Sequence, residues 1–309
     1  MKKNRGRRFM LLFSSLFLLI GASCSTPSVI AESSPGEIPT VQGTVQKEGP
    51  IRATWLWDTM QIVDHTESIL QFAAAHQISA IYLQINRDVK LPYYKEFIRK
   101  AGEQGVVVDI MDGRPAWGLS ENVNQIAAFL DWIEAYQSQA EADERFAGIH
   151  LDIEPHVLPE WKTDQERVIS EWQGNVRYIM NRAAKMNMPV AADLPFWLDN
   201  YKIPGSDMAV SSWMIRQYDA VTIMAYRDTA KAIFDVAKTE LAESAALGKK
   251  LSIAVETKQS KEGQFITFYE EGKAYMESQL KLVESMAKGY DSYSGISVHE
   301  YSAWKSLIP

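Results

Sequence analysis

The sequence predicts a single (β/α)8 barrel, α/β in class, and three observations carry that prediction. Eight short β-rich runs follow one another from Ile51 onward. Amphipathic helical stretches separate them, as an eight-unit barrel requires. Polar residues gather at the C-terminal ends of the runs, where barrel enzymes keep their chemistry. A doubly wound sheet is the alternative, but it usually carries a glycine-rich phosphate turn, and none is found.

The first three runs cover 53–57, 80–86 and 106–111. The fourth, 148–154, reads Gly-Ile-His-Leu-Asp-Ile-Glu. Side chains alternate along a strand, so Ile149, Leu151 and Ile153 are expected to face the helices. His150, Asp152 and Glu154 then share the lumen. The fifth run, 190–194, contains Asp193. In the sixth, 220–226, Val221, Ile223 and Ala225 point out and Thr222, Met224 and Tyr226 point in. In the seventh, 251–256, Leu251, Ile253 and Val255 point out, leaving Ser252, Ala254 and Glu256 inside. The eighth, 295–301, contains His299. Helical patterns include 120–137 and 163–186. The second opens with Thr163-Asp164-Gln165-Glu166, a capping-box pattern.

Three segments precede or form the domain. Residues 1–24 read as a signal peptide, with Lys2, Lys3, Arg5, Arg7 and Arg8 before an apolar core. Gly21-Ala22-Ser23-Cys24 resembles a bacterial lipoprotein signal, which implies lipidation at Cys24 and a membrane anchor. Gly21 stands where that signal usually has Leu, and ordinary cleavage near 31, after Val29-Ile30-Ala31, is the rival. An uncleaved anchor is the third reading, and all three export the protein, to the outer face of the cell membrane or into the medium. Residues 25–49 are rich in Ser, Pro, Gly, Thr and Glu and read as a flexible linker. Residues 50–309 are the barrel, expected to be a monomer.

Composition excludes several classes. Beyond the basic first eight residues the chain carries 27 basic and 39 acidic residues, a net −12. Such a surface repels polyphosphates and argues against nucleic-acid binding. One cysteine in 309 residues permits neither an internal disulfide nor a cysteine-built zinc site. No cofactor motif is present.

The strongest chemical signal is Asp152-Ile153-Glu154. Two carboxylates two apart on one strand share a face, with Cβ atoms roughly 7 Å apart. Like charges that close, near apolar walls, raise at least one pKa. A glycosidase needs such a carboxylic acid, still protonated near neutral pH, to protonate a leaving oxygen. An ion-paired or capping Asp and Glu at a strand end would read the same way in sequence.

Residues 147–154 resemble the strand-four signature of glycoside hydrolase family 18, Asp-Gly-x-Asp-x-Asp-x-Glu. Gly148, Asp152 and Glu154 match, while Ala147 and His150 replace the two upstream acids. Met224-Ala225-Tyr226-Arg227-Asp228 resembles the family's strand-six Met-x-Tyr-Asp segment, with Arg227 as one extra residue. The resemblance implies chitinase-like or peptidoglycan-directed hydrolysis of an N-acetylhexosamine glycan. It implies Glu154 as general acid and then base, with the substrate's own acetamido oxygen as nucleophile. Asp152 would orient that acetamide and Tyr226 would hydrogen-bond its oxygen. His150, in place of an Asp, is expected to act on Asp152 by hydrogen bond or ion pair. His299 stands near the family's floor Trp.

Other readings remain open. Glu154 on the fourth run and Glu256 on the seventh match the two-glutamate retaining clan, whose carboxyls lie about 5–5.5 Å apart. That clan usually has Asn before the strand-four Glu, and this chain has Ile153. Family 25 lysozymes are further barrels with an Asp-x-Glu strand. His150, Asp152, Glu154 and His156 are metal-ligating types, but alternate strand residues spread too far for one ion to take all four. A non-catalytic carbohydrate-binding barrel is the non-enzyme alternative; known family 18-like lectins have lost the Glu that this chain keeps.

Further candidates for sugar contact are Gln84, Asn86, Asp193, Met224, Glu256 and His299. Sugar rings stack on π faces. Trp55, Trp57, Trp117, Phe196, Trp197 and Trp304 fall at run ends or following loops, with Trp57 and Trp197 the preferred platforms. Trp132, Trp161, Trp172 and Trp213 are expected to pack, as are His65 and His76. Asp112, before Gly113, is expected in a turn.

Overall fold

The computed structural model describes residues 49–309. The expected signal peptide, Cys24 and nearly all of the linker lie outside the described residues. Eight parallel strands close into a barrel in chain order. They are β1 Ile51–Leu56, β2 Ala80–Gln84, β3 Val107–Asp112, β4 Ile149–Leu151, β5 Val190–Pro195, β6 Ala220–Met224, β7 Lys250–Glu256 and β8 Tyr293–His299. The α-helices are α1 Gln61–Asp64, α2 Thr66–Ala75, α3 Leu91–Glu103, α4 Val123–Gln139, α5 Pro159–Thr163, α6 Gln165–Lys185, α7 Val210–Gln217, α8 Ala230–Ala246, α9 Gly272–Ala287 and α10 Tyr301–Ser306. None of the described helices is long and apolar enough to cross a membrane.

All eight expected runs are strands, in the expected order. The fourth is shortened most. Asp152 N–H still reaches Asp112 O at 3.3 Å, but Pro155 then opens a 3-10 turn, Pro155–Val157. Proline has no N–H for a sheet ladder. Glu154 therefore projects from the segment beyond the strand rather than from the strand itself.

The alternation holds. Ile149, Leu151, Ile153, Val221, Ile223, Ala225, Leu251, Ile253 and Val255 are all buried in the layer between strands and helices. Burying each large aliphatic side chain there contributes roughly 1.5–3 kcal/mol. The lumen holds a separate apolar cluster of Ala53, Trp55, Ala80, Tyr82, Met111 and Ala254. Below the mouth, Ser297 Oγ donates to Ser252 Oγ (3.2 Å) and Ser252 Oγ to Thr222 Oγ1 (2.8 Å). Small hydroxyls thus fill the lumen without leaving those polar atoms unpaired.

Helix α6 shows why the outer layer forms. Val168, Ile169, Trp172, Val176, Ile179 and Ala183 recur every three or four residues and are buried. Its start corrects the sequence reading, because the capping box at Thr163 does not form. Thr163 ends α5, and Asp164 takes the cap position without a capping bond. The Asp164 carboxylate accepts from Arg167 Nε at 2.8 Å instead. Helix α4 likewise starts at Val123, since Ser120–Asn122 forms a 3-10 turn.

The β8–β1 closure depends on Gly295, which pairs with Ile51 and has φ +141°. A Cβ there would lie 1.9 Å from Ile51 O. Gly295→Ala combines an unfavourable backbone angle with a backbone clash, and about 3 kcal/mol of stability is expected to be lost. Thermal unfolding should show a fall of roughly 6–12 °C for a domain of this size. An unchanged midpoint would contradict the close approach at this seam.

Candidate active site

At the barrel's centre, Asp193 joins residues from three strands. His150 Nε2 lies 2.8 Å from Asp193 Oδ1, and Trp55 Nε1 donates to Asp193 Oδ2 at 3.0 Å. Tyr82 stacks on His150 with ring centres 3.6 Å apart. Two expectations are corrected here. His150 bonds Asp193 rather than Asp152. Asp193 is not a pocket residue, since it is 2% exposed and both its oxygens are engaged. The reason is the alternation itself: Asp193 is the inward residue of the adjacent strand and meets His150 across the lumen. His150 Nδ1 and Asp152 Oδ1 are buried with no hydrogen-bond partner among the described residues.

Above this layer stand the two carboxyls of the fourth segment. Burial pushes the Asp152 carboxyl well above the usual carboxylate range, and the charges of Asp193 and Glu154 add to the effect. Burial also raises Glu154, to about 7, with Asp193 and Glu262 adding and His299 opposing. A carboxyl near 7 is divided between acid and base at neutral pH, as acid/base chemistry requires. Gly113 lies against the backbone here, where a Cβ would sit 1.9 Å from Asp152 O.

Glu154 opens into a cavity of about 470 Å³, shared with His156, Trp197, Met224, Tyr226, Arg227 and Glu262 among others. Tyr226, Met224 and Trp197 were all expected at the site, and this cavity brings them to Glu154. Burial raises the Tyr226 hydroxyl pKa, with contributions from Glu256, Asp193, Asp152 and Glu154 in that order. Tyr226 therefore remains a hydrogen-bond donor at neutral pH. His156 Nε2 stands 3.8 Å from Glu154 Oε1 and edge-on to Trp197.

A second cavity, of about 660 Å³, lies on the β1–β3 side of the mouth. Trp57, Gln84 and Asn86 line it together with Asp112, so these expected sugar contacts, Trp57, Gln84 and Asn86, are grouped apart from Glu154. Gln84 Nε2 donates to Asp112 Oδ1 at 3.0 Å, and Gly113 N–H donates to the same oxygen at 2.9 Å. The turn expected at Asp112 does not form: Asp112 ends β3, and its carboxylate holds Gln84 and the next backbone N–H instead.

Glu256 and His299 meet each other. Trp57 Nε1 donates to His299 Nε2 at 3.0 Å, and His299 Nδ1 lies 2.9 Å from Glu256 Oε2. An indole N–H can only donate, so His299 Nε2 is the acceptor of this bond and Nδ1 is the nitrogen that faces Glu256. Glu256 Oε1 also accepts the backbone N–H groups of Thr257 and Lys258. The Glu256 carboxylate is thus occupied on both oxygens, which disfavours a nucleophilic role.

Trp55, Trp117 and Trp304, grouped with possible sugar contacts in the sequence, are fully buried. Trp304 packs on Phe72 and His76. His76 is half-buried beside Phe72 and Trp304, whereas His65, expected to pack with it, is exposed. Trp161, Trp172 and Trp213 pack as expected, and Trp132 packs partly buried against the core. Among the described residues, no three His, Cys, Asp or Glu side chains converge on a metal-sized position.

The sequence reading missed the segment between β7 and α9. Glu262, Phe265 and Ile266 come from it and wall the Glu154 cavity. Its signal was length, since a long connection after a barrel strand belongs to the catalytic end.

No family model matches the sequence, and no curated protein matches it. Solved structures do resemble the fold. A class V chitinase from Pseudomonas fluorescens superposes with a TM-score of 0.52 at 14% identity, over 84% of this chain and 99% of its own. A chitinase from Chromobacterium violaceum gives 0.51 at 10% identity, over 83% and 96%. Catalytic domain 2 of a group II chitinase from Ostrinia furnacalis gives 0.52 at 11%, over 82% and 89%. At such identities the likeness is one of fold.

Proposed function

We propose that this protein is a glycoside hydrolase acting on a β-linked glycan that contains N-acetylhexosamine. One observation carries the reading. Glu154, held near pKa 7, opens into an aromatic-walled cavity with Tyr226, two residues from the lumen-facing Asp152. The chitinase neighbours have the same fold, and the strand-four and strand-six resemblances fall on these same residues.

In this mechanism protonated Glu154 gives its proton to the glycosidic oxygen as the bond to the anomeric carbon breaks. The acetamido oxygen attacks that carbon and forms an oxazolinium-like intermediate, the substrate-assisted variant of glycoside hydrolysis. Asp152 orients the acetamide, and the positive charge that develops there favours its carboxylate form, which offsets that charge. Tyr226 Oη donates to the acetamide oxygen. Glu154, now a carboxylate, then takes a proton from the water that opens the ring. No cofactor enters these steps. The sequence signal around Cys24 supports action outside the cytoplasm.

The two-glutamate alternative is disfavoured by the hydrogen bonds that occupy Glu256. The carbohydrate-binding alternative predicts sugar binding without turnover. The test is incubation of the purified protein with chitin oligomers and peptidoglycan side by side, reading new reducing ends. New ends from neither polymer would overturn the hydrolase reading. Tyr226→Phe removes one donor and is expected to lower kcat by about 10-fold to 100-fold. Steady-state kinetics should show KM changing less than kcat.

A further inference from the structure

Arg227 is the extra residue in the strand-six segment, and it lines the Glu154 cavity. Its guanidinium carbon lies 4.8 Å from the centre of the Phe196 ring and 5.6 Å from that of Phe265. Its Nη1 donates to the Tyr226 carbonyl at 2.6 Å. Asp228 N–H donates to Phe265 O at 3.1 Å, which ties the β6 and β7 loops together around it. The guanidinium is thus fixed on two aromatic faces and one carbonyl. Among the described residues it forms no ion pair, in a domain with a marked excess of acids. Glu262 lines the same cavity, but it is exposed and forms no ion pair with Arg227.

A guanidinium presents five donors in a planar fork that matches a carboxylate, and a fixed fork loses less freedom on binding. We propose that Arg227 is an anion-binding residue of the glycan site, and that the substrate is an N-acetylhexosamine glycan carrying a carboxylate on a sugar bound beside Glu154. This deepens the hydrolase reading and rests on it for the location of the sugar. Carboxylates reach such glycans as a lactyl ether on the hexosamine, as in muramyl sugars, or as an adjoining uronate. The ligand chemistry is shared, and the two sources are separated by experiment.

Binding by the Glu154→Gln protein tests this without turnover. The probes are a muramyl oligosaccharide and a uronate–N-acetylglucosamine oligosaccharide, each beside its carboxyl-reduced alcohol, measured by calorimetry. The charged form of one probe is expected to bind at least tenfold tighter than its alcohol. Arg227→Ala added to that protein should remove most of the difference. Arg227→Lys should restore only part of it, because an ammonium cannot form the paired contact. Circular dichroism and thermal unfolding establish that each variant is folded. Equal binding of acid and alcohol, a difference that survives Arg227→Ala, or no binding of any probe by folded protein would overturn the proposal. Failure of the hydrolase reading is seen separately, as no cleavage of any glycan, charged or neutral, by the unaltered protein.

Discussion

Glu154→Gln is expected to lower glycan hydrolysis by about 10²-fold to 10⁴-fold, the usual contribution of a positioned general acid. Gln keeps the shape but has no proton to give to a leaving oxygen, so sugar binding should survive. Reducing-end assays and calorimetry on one preparation separate the two effects. The same residue sets a pH limit. With Glu154 near 7, the acid form falls about tenfold per pH unit above that value, and kcat should fall with it. Stability carries the matching signature. The folded chain holds the Glu154 proton from about 4.5 to 7, while the unfolded chain has already released it. The folded state binds more protons in that window, so stability falls as pH rises through it. Glu154→Gln removes this cost. Its thermal midpoint should therefore gain on the unaltered protein between pH 4.5 and 7, and the gain should level off above. Full activity in Glu154→Gln would remove the acid/base assignment.

Asp152→Asn is the second large effect, with an expected loss of about 10²-fold to 10³-fold in kcat. Asp152 Oδ1 is buried without a hydrogen-bond partner among the described residues, so no protein group occupies it. An amide in its place can hold the acetamide's shape but cannot offset the positive charge that forms in the reaction. Glu256→Gln makes the comparison decisive. Substrate assistance requires the larger loss at Asp152, because Glu256 acts only through His299. Double displacement requires the reverse. A substrate without its acetamido group should resist cleavage under the first scheme and remain cleavable under the second.

The barrel was legible because alternation is a local property. Ile149, Leu151 and Ile153 declare an outward face by spacing alone, and Asp152 and Glu154 follow on the other side. The partners of the site residues were not legible in this way. His150 reads as a neighbour of Asp152 in sequence, yet its bond goes to Asp193, 43 residues away. Trp57 and His299 are 242 apart. Those pairings depend on how strands stagger around a closed lumen, which periodicity along one strand does not encode. The capping box at Thr163 failed because Thr163 is the last residue of α5, which moves the cap position of α6 on to Asp164. Arg227 showed itself only as an extra residue, and its setting between Phe196 and Phe265 needed the long loop after β7 to be in place.

The bond from Trp57 to His299 fixes what that indole can report about a ligand. Its single N–H is spent inside the protein, so a sugar meeting Trp57 finds a flat hydrocarbon face and no donor. Such a face measures how much C–H surface a ring presents. It is blind to whether a given hydroxyl stands up or lies flat, except where that hydroxyl breaks the flatness. Discrimination between epimers must then come from the polar groups around it, Gln84 and Asn86 among them. Along this side of the mouth, grip and stereochemical memory reside in different residues.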